Sequence, residues 1–525
     1  MSLFHKYRAS FRSLFQRAFL LVLLAGSFSK IPLWANNTPR EFRGIWVATV
    51  NNLDWPSKPG MNVEQMKNEI RLMLNTLDHL NFNAVIFQIR PAADAFYRSE
   101  QEPWSKWLSG MQGNPPPGNW DPLSFMIDEC HKRAIELHAW LNPFRVCMDT
   151  LTPLSPQNVA VRHPEWVLTY GNKRYLDPGL PEVRDYLNQV VAEVVKKYDI
   201  DAIHFDDYFY PYPISGKTFP DSLSFRFQNR GYLPEEREHW RRDNVDLIIE
   251  TLSKSIKQLK PRVKFGISPF GVWKNFDEND ELAGSVTSAG NTNFDNLYAD
   301  VLKWQRLGWI DYLIPQLYWE IGHPDVDYIT LCNWWNERAF GRHIYIGHAL
   351  YKLAENNSPA WKNIRELPEQ ISISRRMKNI RGNACFRMRF LTDNPLGIRD
   401  IFQKQLYTKK SLLPQMAWID PVPPAVSFRI RPRGFFQIKQ LLVKYPLNKQ
   451  PEPDLLGYRV YYTRTKNSEN KQNNENLLGF FPEPSIDIRD LPLPGKGTYF
   501  LWITAIDRHQ NESAPVGGIK RYIPK

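Results

Sequence analysis

Cysteine is scarce in this 525-residue chain, and Cys130, Cys147, Cys332 and Cys385 stand far apart with no CxxC or CxxxxC spacing. That excludes a zinc framework and a dense disulfide scaffold. Isolated thiols are best placed as small apolar side chains in packed elements, with a single disulfide as the alternative. Long hydrophobic runs are also missing. The longest, over 18–28, is too short to cross a bilayer comfortably as a mature helix, and no later segment reads as a span. There is no HExxH, no EF-hand loop and no clustered His/Asp ligand spacing, so no metal centre and no cofactor are expected.

What is present is an ordinary globular composition, 42% apolar and 23% charged, over a length that suits more than one domain. The net charge of +12 would naively suggest an anionic polymer or a membrane as partner. Its distribution argues otherwise. Residues 1–35 hold five basic and no acidic residues, 421–525 hold 16 basic and 9 acidic, and 36–420 hold 46 of each. The long middle is formally neutral, so a nucleic-acid partner is not expected.

The first segment reads as an export signal: Lys6, Arg8, Arg12 and Arg17 precede the apolar run, and cleavage after Ala35 is plausible. The expected location is therefore periplasmic, secreted or cell-surface. An uncleaved amino-terminal anchor is the alternative.

From Phe42 onward, short β-branched or aromatic runs alternate with segments of helical period. Eight strands are expected, at 43–50, 84–90, 136–143, 201–207, 263–269, 311–318, 343–350 and 383–390. Eight strands, each followed by a helix, predict a closed (β/α)8 barrel of the TIM type. A doubly wound open sheet is the rival, weakened by the lack of a glycine-rich phosphate turn after the first strand. Helix signals are clear: Asn62 and Gln65 form a capping box ahead of the stripe Met66, Ile70, Met73, Leu77 and Leu80, and Asp121-Pro122 opens another helix. Residues 36–418 form this α/β domain. The proline-rich DPVPP at 420–424 then leads into an all-β module over 421–525, with strands expected at 425–430, 435–443, 457–464, 477–488 and 498–507.

In such barrels the reacting groups stand at the carboxyl ends of the strands, and strand side chains alternate inward and outward. Parity puts Gln88 with Arg90, His138 with Trp140 and Asn142, His204 with Asp206, and Gln316 with Tyr318 and Glu320 on interior faces, while Asp207 points away. Buried carboxylates and guanidinium groups are costly without partners or purpose, so this convergence marks a candidate site. Aromatic residues make up 14% of the chain. Those at strand ends, including Trp140, Trp273 and Trp319, suit the apolar faces of sugar rings, with a polysaccharide as the expected substrate.

The phrases RGIWVATV (43–50), IFQIRPAADAFY (86–97), HAWLNPFR (138–145), YLDPG (175–179), DIDAIHFDDYFYP (199–211), GISPFGVW (266–273) and LIPQLYW (313–319) together resemble the glycosyl hydrolase-like 10 family of exported bacterial barrels, over about residues 40–416. The resemblance implies a glycosidase-type barrel, with peptidoglycan glycan strands among the substrates to consider. It marks Asp206, Asp94, Arg90, Asn142 and the Gln316, Tyr318, Trp319 group. Asp206 is the expected nucleophile or base; Asp94 and Glu320 compete as general acid, with Asp54 and Asp177 in reserve. Arg387 and Arg389, on the expected eighth strand, suggest recognition of an anionic group. The stretches GYRVYYTR (457–464) and YFLWITAIDRHQNESAP (499–515) resemble a fibronectin type III domain. A carbohydrate-binding protein without chemistry and a protein-binding scaffold are the competing readings, and the basic module suggests an anionic envelope surface as a further partner.

Overall fold

The computed structural model describes residues 40–524 apart from 281–283, 435–437, 447–448, 453, 470 and 490. The expected export signal therefore lies outside the described residues.

Eight parallel strands close into a barrel: β1 (Phe42–Val47), β2 (Ala84–Arg90), β3 (Glu136–Leu141), β4 (Ala202–Phe205), β5 (Lys264–Ile267), β6 (Tyr312–Leu313), β7 (His343–His348) and β8 (Ile380–Cys385). β1 pairs β8 from Phe42↔Gly382 to Ile45↔Cys385 and pairs β2 from Gly44↔Ala84, so the sheet has no free edge and the open-sheet rival is excluded.

Two strands differ from expectation. β6 is only two residues long, because Pro315 cannot donate to a ladder. Gln316 nevertheless keeps barrel register through bridges to Phe270 and Gly347. β8 ends at Cys385, before the expected CFRMRF run, whose alternation mimics a strand while Met388–Asp393 is helical. Arg387 and Arg389 thus leave the barrel wall.

The flanking helices follow their sequence signals. Asn62 accepts from Gln65 N and Gln65 returns the bond, capping the helix Val63–His79. Its buried stripe is Met66, Ile70, Leu74 and Leu77, with Met73 only half-buried. Each such side chain contributes about 1.5–3 kcal/mol by leaving water. Asp121 caps Pro122–His131 by accepting from Ser124 N. All four cysteines are free and buried.

The barrel interior is filled at its amino-terminal end. Phe42 stacks on Tyr345 with ring centroids 4.1 Å apart, and the Tyr312 hydroxyl meets His138 Nδ1 at 2.7 Å and His204 Nδ1 at 3.0 Å. Gly266 makes room for this plug: a Cβ there would fall 1.9 Å from the Tyr312 ring. Below it, Leu413 and Met416 close the floor, and Trp418 Nε1 donates to Asp311 at 3.0 Å. A ligand must therefore enter from the carboxyl end. There, the β3–β4 connection folds into a three-stranded antiparallel sheet of Arg145–Cys147, Lys173–Leu176 and Val167–Tyr170.

After the barrel come two antiparallel sheets built from β9 (Arg429–Arg433), β10 (Gln440–Lys444), β11 (Leu455–Thr463), β12 (Leu477–Phe481), β13 (Ser485–Asp487), β14 (Gly497–Asp507) and β15 (Val516–Ile523). The orders are β9-β10-β13 and β12-β11-β14-β15. Leu441, Val460, Ile486, Leu501 and Ile503 share their common core. The expected strand at 477–488 is split in two, and β15 was not anticipated, because its alternation is carried by glycine, lysine and arginine rather than by large apolar residues.

Candidate functional site

A pocket of about 560 Å³ opens at the carboxyl end of the barrel. Its lining joins Gln88, Trp140, Asp206, Gln316, Tyr318 and Trp319, all expected from sequence, to Trp46, Arg145, Asp207, Tyr208, Tyr212, Ser268, Phe270, Lys352 and Phe386.

Asp206 sits just past β4 and is buried. A relay of amides holds it. Thr49 N and Val50 N donate to Gln88 Oε1, each at 2.9 Å, Gln88 Nε2 donates to Asn142 Oδ1 at 2.6 Å, and Asn142 Nδ2 donates to Asp206 Oδ2. The backbone fixes Gln88, which fixes which way Asn142 faces, so its amide N–H₂ points at the carboxylate. Asn142 does not line the pocket; it acts from beneath, fully buried.

Asp207 shares the pocket wall, contrary to the parity expectation. β4 ends at Phe205, so strict alternation stops before the acid pair. Asp207 accepts from the Tyr212 hydroxyl, with support from Gln316. Burial raises both carboxyl pKa values; for Asp206 the next largest cause is the charge of Asp207, and it is pushed up to about 7, while Arg145 works in the opposite direction on both. Two adjacent buried acids cannot both ionise cheaply, so near neutral pH a proton remains on the pair. Arg145 lies with its guanidinium 4.5 Å from the Tyr208 ring centroid, held by cation–π attraction over the same corner.

Other expected residues lie elsewhere. Arg90 is fully buried and donates to Glu102 from Nε at 2.8 Å, with Tyr186 also donating to Glu102 at 2.8 Å. The register of β2 on β3 shifts between Gln88 and Arg90, and the shift turns Arg90 toward the helix layer. It is a positioning residue, binding the Asn142 carbonyl at 2.5 Å. His204 is buried between Tyr312 and Ser268, beneath the pocket. Trp273 stacks against Trp334 and is absent from the pocket lining.

Neither expected general acid lines the pocket. Glu320 accepts from Ser358 at 2.9 Å and from Trp361 Nε1 at 2.9 Å; burial opposes its charge, but these donors and its own backbone hold its pKa below the ordinary glutamate value. It is an ionised structural acceptor. Asp94 is buried, its pKa pushed up to about 7 chiefly by burial, and it accepts from Gln112 at 3.3 Å. Among the reserves, Asp54 accepts from Ala48 N at 2.7 Å and from Arg387 at 2.9 Å, and Asp177 accepts from Gly179 N at 2.9 Å in a turn. With Arg387 held by Asp54, and Arg389 paired to Asp393 at the surface, the anion-recognition role suggested for these arginines loses its basis.

The missed residues carried some signal. Asp207 is the second acid of an Asp-Asp doublet, and Arg145 ends the HAWLNPFR phrase. Phe386 and Tyr212 come from loops, and Lys352 opens a four-residue helix, whose paths no periodicity reveals.

Comparison with known proteins shows the family. The pattern of the glycosyl hydrolase-like 10 family matches residues 41–363. Glycosyl hydrolase YngK of Bacillus subtilis is 41% identical over 504 residues, covering 94% of this chain and 96% of its own. Glycosyl hydrolase DigH of Escherichia coli K12 is 36% identical over 387 residues, covering 69% of this chain and 86% of its own. The glycoside hydrolase domain of PgaB (BpsB) from Bordetella bronchiseptica aligns with a TM-score of 0.48 at 12% identity, over 70% of this chain and 99% of that domain. The chain belongs to the glycosyl hydrolase-like 10 family and is a glycoside hydrolase.

Proposed function

We propose that this protein is an exported enzyme that cleaves glycosidic bonds in a bacterial cell-envelope polysaccharide, with peptidoglycan glycan strands the first substrate to test. The observation that carries the reading is the pairing of Asp206 and Asp207 on one wall of an aromatic-lined pocket, with the proton they keep near neutral pH. Glycoside hydrolysis needs one carboxyl group to protonate the leaving oxygen and one carboxylate to stabilise or attack the sugar. The raised pKa of Asp206 lets one of the two acids be protonated while the other is ionised. Trp140, Trp319 and Tyr208 offer stacking faces, and Gln316 and Arg145 offer donors to hydroxyl or carboxylate groups. A binding protein that has lost its chemistry is less favoured, because two acids side by side on the pocket wall are costly to keep unless they react.

The carboxy-terminal module fits a fibronectin type III-like sandwich. Its three- and four-stranded sheets have the strand orders given above, and the Tyr499 hydroxyl near the start of β14 donates back to the Pro494 and Gly495 carbonyls, a corner typical of such sandwiches. Arg429, Arg431, Arg433, Lys439 and Lys444 are exposed on and beside its first hairpin, where Arg429 faces Lys444 across the register. This array supports a tether to an anionic envelope surface. Such a tether weakens as salt shortens the screening length.

The test is release of new reducing ends from peptidoglycan, with and without its stem peptides, beside other bacterial polysaccharides. Saturable binding with no bond cleavage across the panel would move the assignment to a carbohydrate-binding protein.

A further inference from the structure

Where the chain leaves the barrel, four side chains from distant positions converge: Asp420 on the exit segment, Asp454 at the start of β11, and Asp507 and His509 at the end of β14. One ligand-capable atom from each lies within 4.8 Å of those of the others. Acidic clusters form on many protein surfaces without binding anything, but this one is not superficial. Asp507 is 1% exposed and His509 6% exposed. Asp507 Oδ1 is satisfied by His509 N and Asn511 N, each at 2.8 Å, whereas its Oδ2 is buried with no hydrogen-bond partner among the described residues. Both His509 ring nitrogens are likewise buried without a hydrogen bond among those residues; Nδ1 stands 3.4 Å from Asp420 Oδ2. Orphaned buried polar atoms of this kind are costly, and in native structures each calls for an occupant or a purpose.

We propose that Asp420, Asp454, Asp507 and His509 bind a divalent cation that staples the β-sandwich to the segment leaving the barrel. Three carboxylates and one imidazole form a mixed donor set. Carboxylates suit hard cations and imidazole suits borderline ones, so the site fits Mn²⁺ or Zn²⁺ better than Ca²⁺, whose sites are built from oxygen alone. The surroundings keep the ligands fit for the task. Asn511 Nδ2 donates to the Asp420 carbonyl at 3.0 Å, fixing that segment beside the sandwich. The site shares no residue with the pocket, so it acts on domain attachment and stability. The sequence could not disclose it, because the ligands come from three separate stretches with no motif spacing.

The untagged full chain, stripped with a chelator, is dialysed against Zn²⁺ alone and Mn²⁺ alone, and uptake is measured by elemental analysis together with the melting temperature. One equivalent taken up, a higher melting temperature, and loss of both in Asp507→Asn and His509→Gln are expected. Asp420→Asn, on a half-buried residue outside the sandwich, serves if those variants fail to fold. X-ray absorption of the Zn²⁺ form of the wild type gives an independent readout, with one imidazole nitrogen among oxygens expected. No uptake by the wild type, uptake undiminished in the folded variants, or an absorption spectrum without a nitrogen ligand would overturn the site.

Discussion

Asn142 donates its side-chain N–H to Asp206 from beneath the pocket, although the two residues are 64 positions apart and sit at the ends of neighbouring strands. The bond orients the carboxylate while leaving the pocket face of Asp206 to a substrate. It also makes Asn142 depend on Gln88, and through Gln88 on two backbone N–H groups.

Asp206→Asn and Asp207→Asn should each lower kcat by about 10²–10⁴-fold, the usual contribution of a positioned acid or base. Product release from the responsive glycan measures it. Either variant retaining full activity would take that carboxyl group out of the chemistry.

The rate should fall as pH rises through about 7, where Asp206 loses its proton. Stability gives a second reading. The Asp206 pKa rises on folding from 3.8 to about 7, so the folded state holds the proton more tightly than the unfolded chain. The burden of an ionised Asp206 is absent below about pH 4 and grows as pH climbs to 7. Asp206→Asn should therefore be more stable to unfolding than the wild type at pH 8, by on the order of a few kcal/mol and with a higher melting temperature, and about equal to it at pH 4. Equal melting at pH 8 would contradict the raised pKa.

Gln88→Leu should destabilise the fold by about 1–3 kcal/mol or more, because it strands the Thr49 and Val50 N–H groups without their shared acceptor. Denaturant unfolding would show it. Activity should drop in the same variant, since Asn142 loses the partner that sets its orientation.

Glu320→Gln should leave kcat within about an order of magnitude of wild type, in contrast to the loss expected of a general acid. Both Glu320 oxygens already accept bonds, from Ser358 and Trp361. A drop as large as that of Asp207→Asn would return Glu320 to the list of reacting groups.

Sequence alone determined the periodic features: eight strand segments, their helices with caps at Asn62 and Asp121, the change to β structure near Asp420, and Asp206 at a strand end. These are local, because hydrophobic period and capping chemistry are written within a few residues of where they act. Parity reasoning held for Gln88, Trp140, Asp206 and Gln316 and failed where the ladder is irregular or the strand has ended. A register shift after Gln88 sent Arg90 to Glu102, and the end of β4 at Phe205 let Asp207 turn into the pocket. The tertiary structure alone decided which charges were already neutralised, as with Arg387 on Asp54, and which were left facing a cavity, as with Asp206 and Asp207. Burial and pairing across the fold set the cost of each charge, and neither quantity exists until distant segments meet.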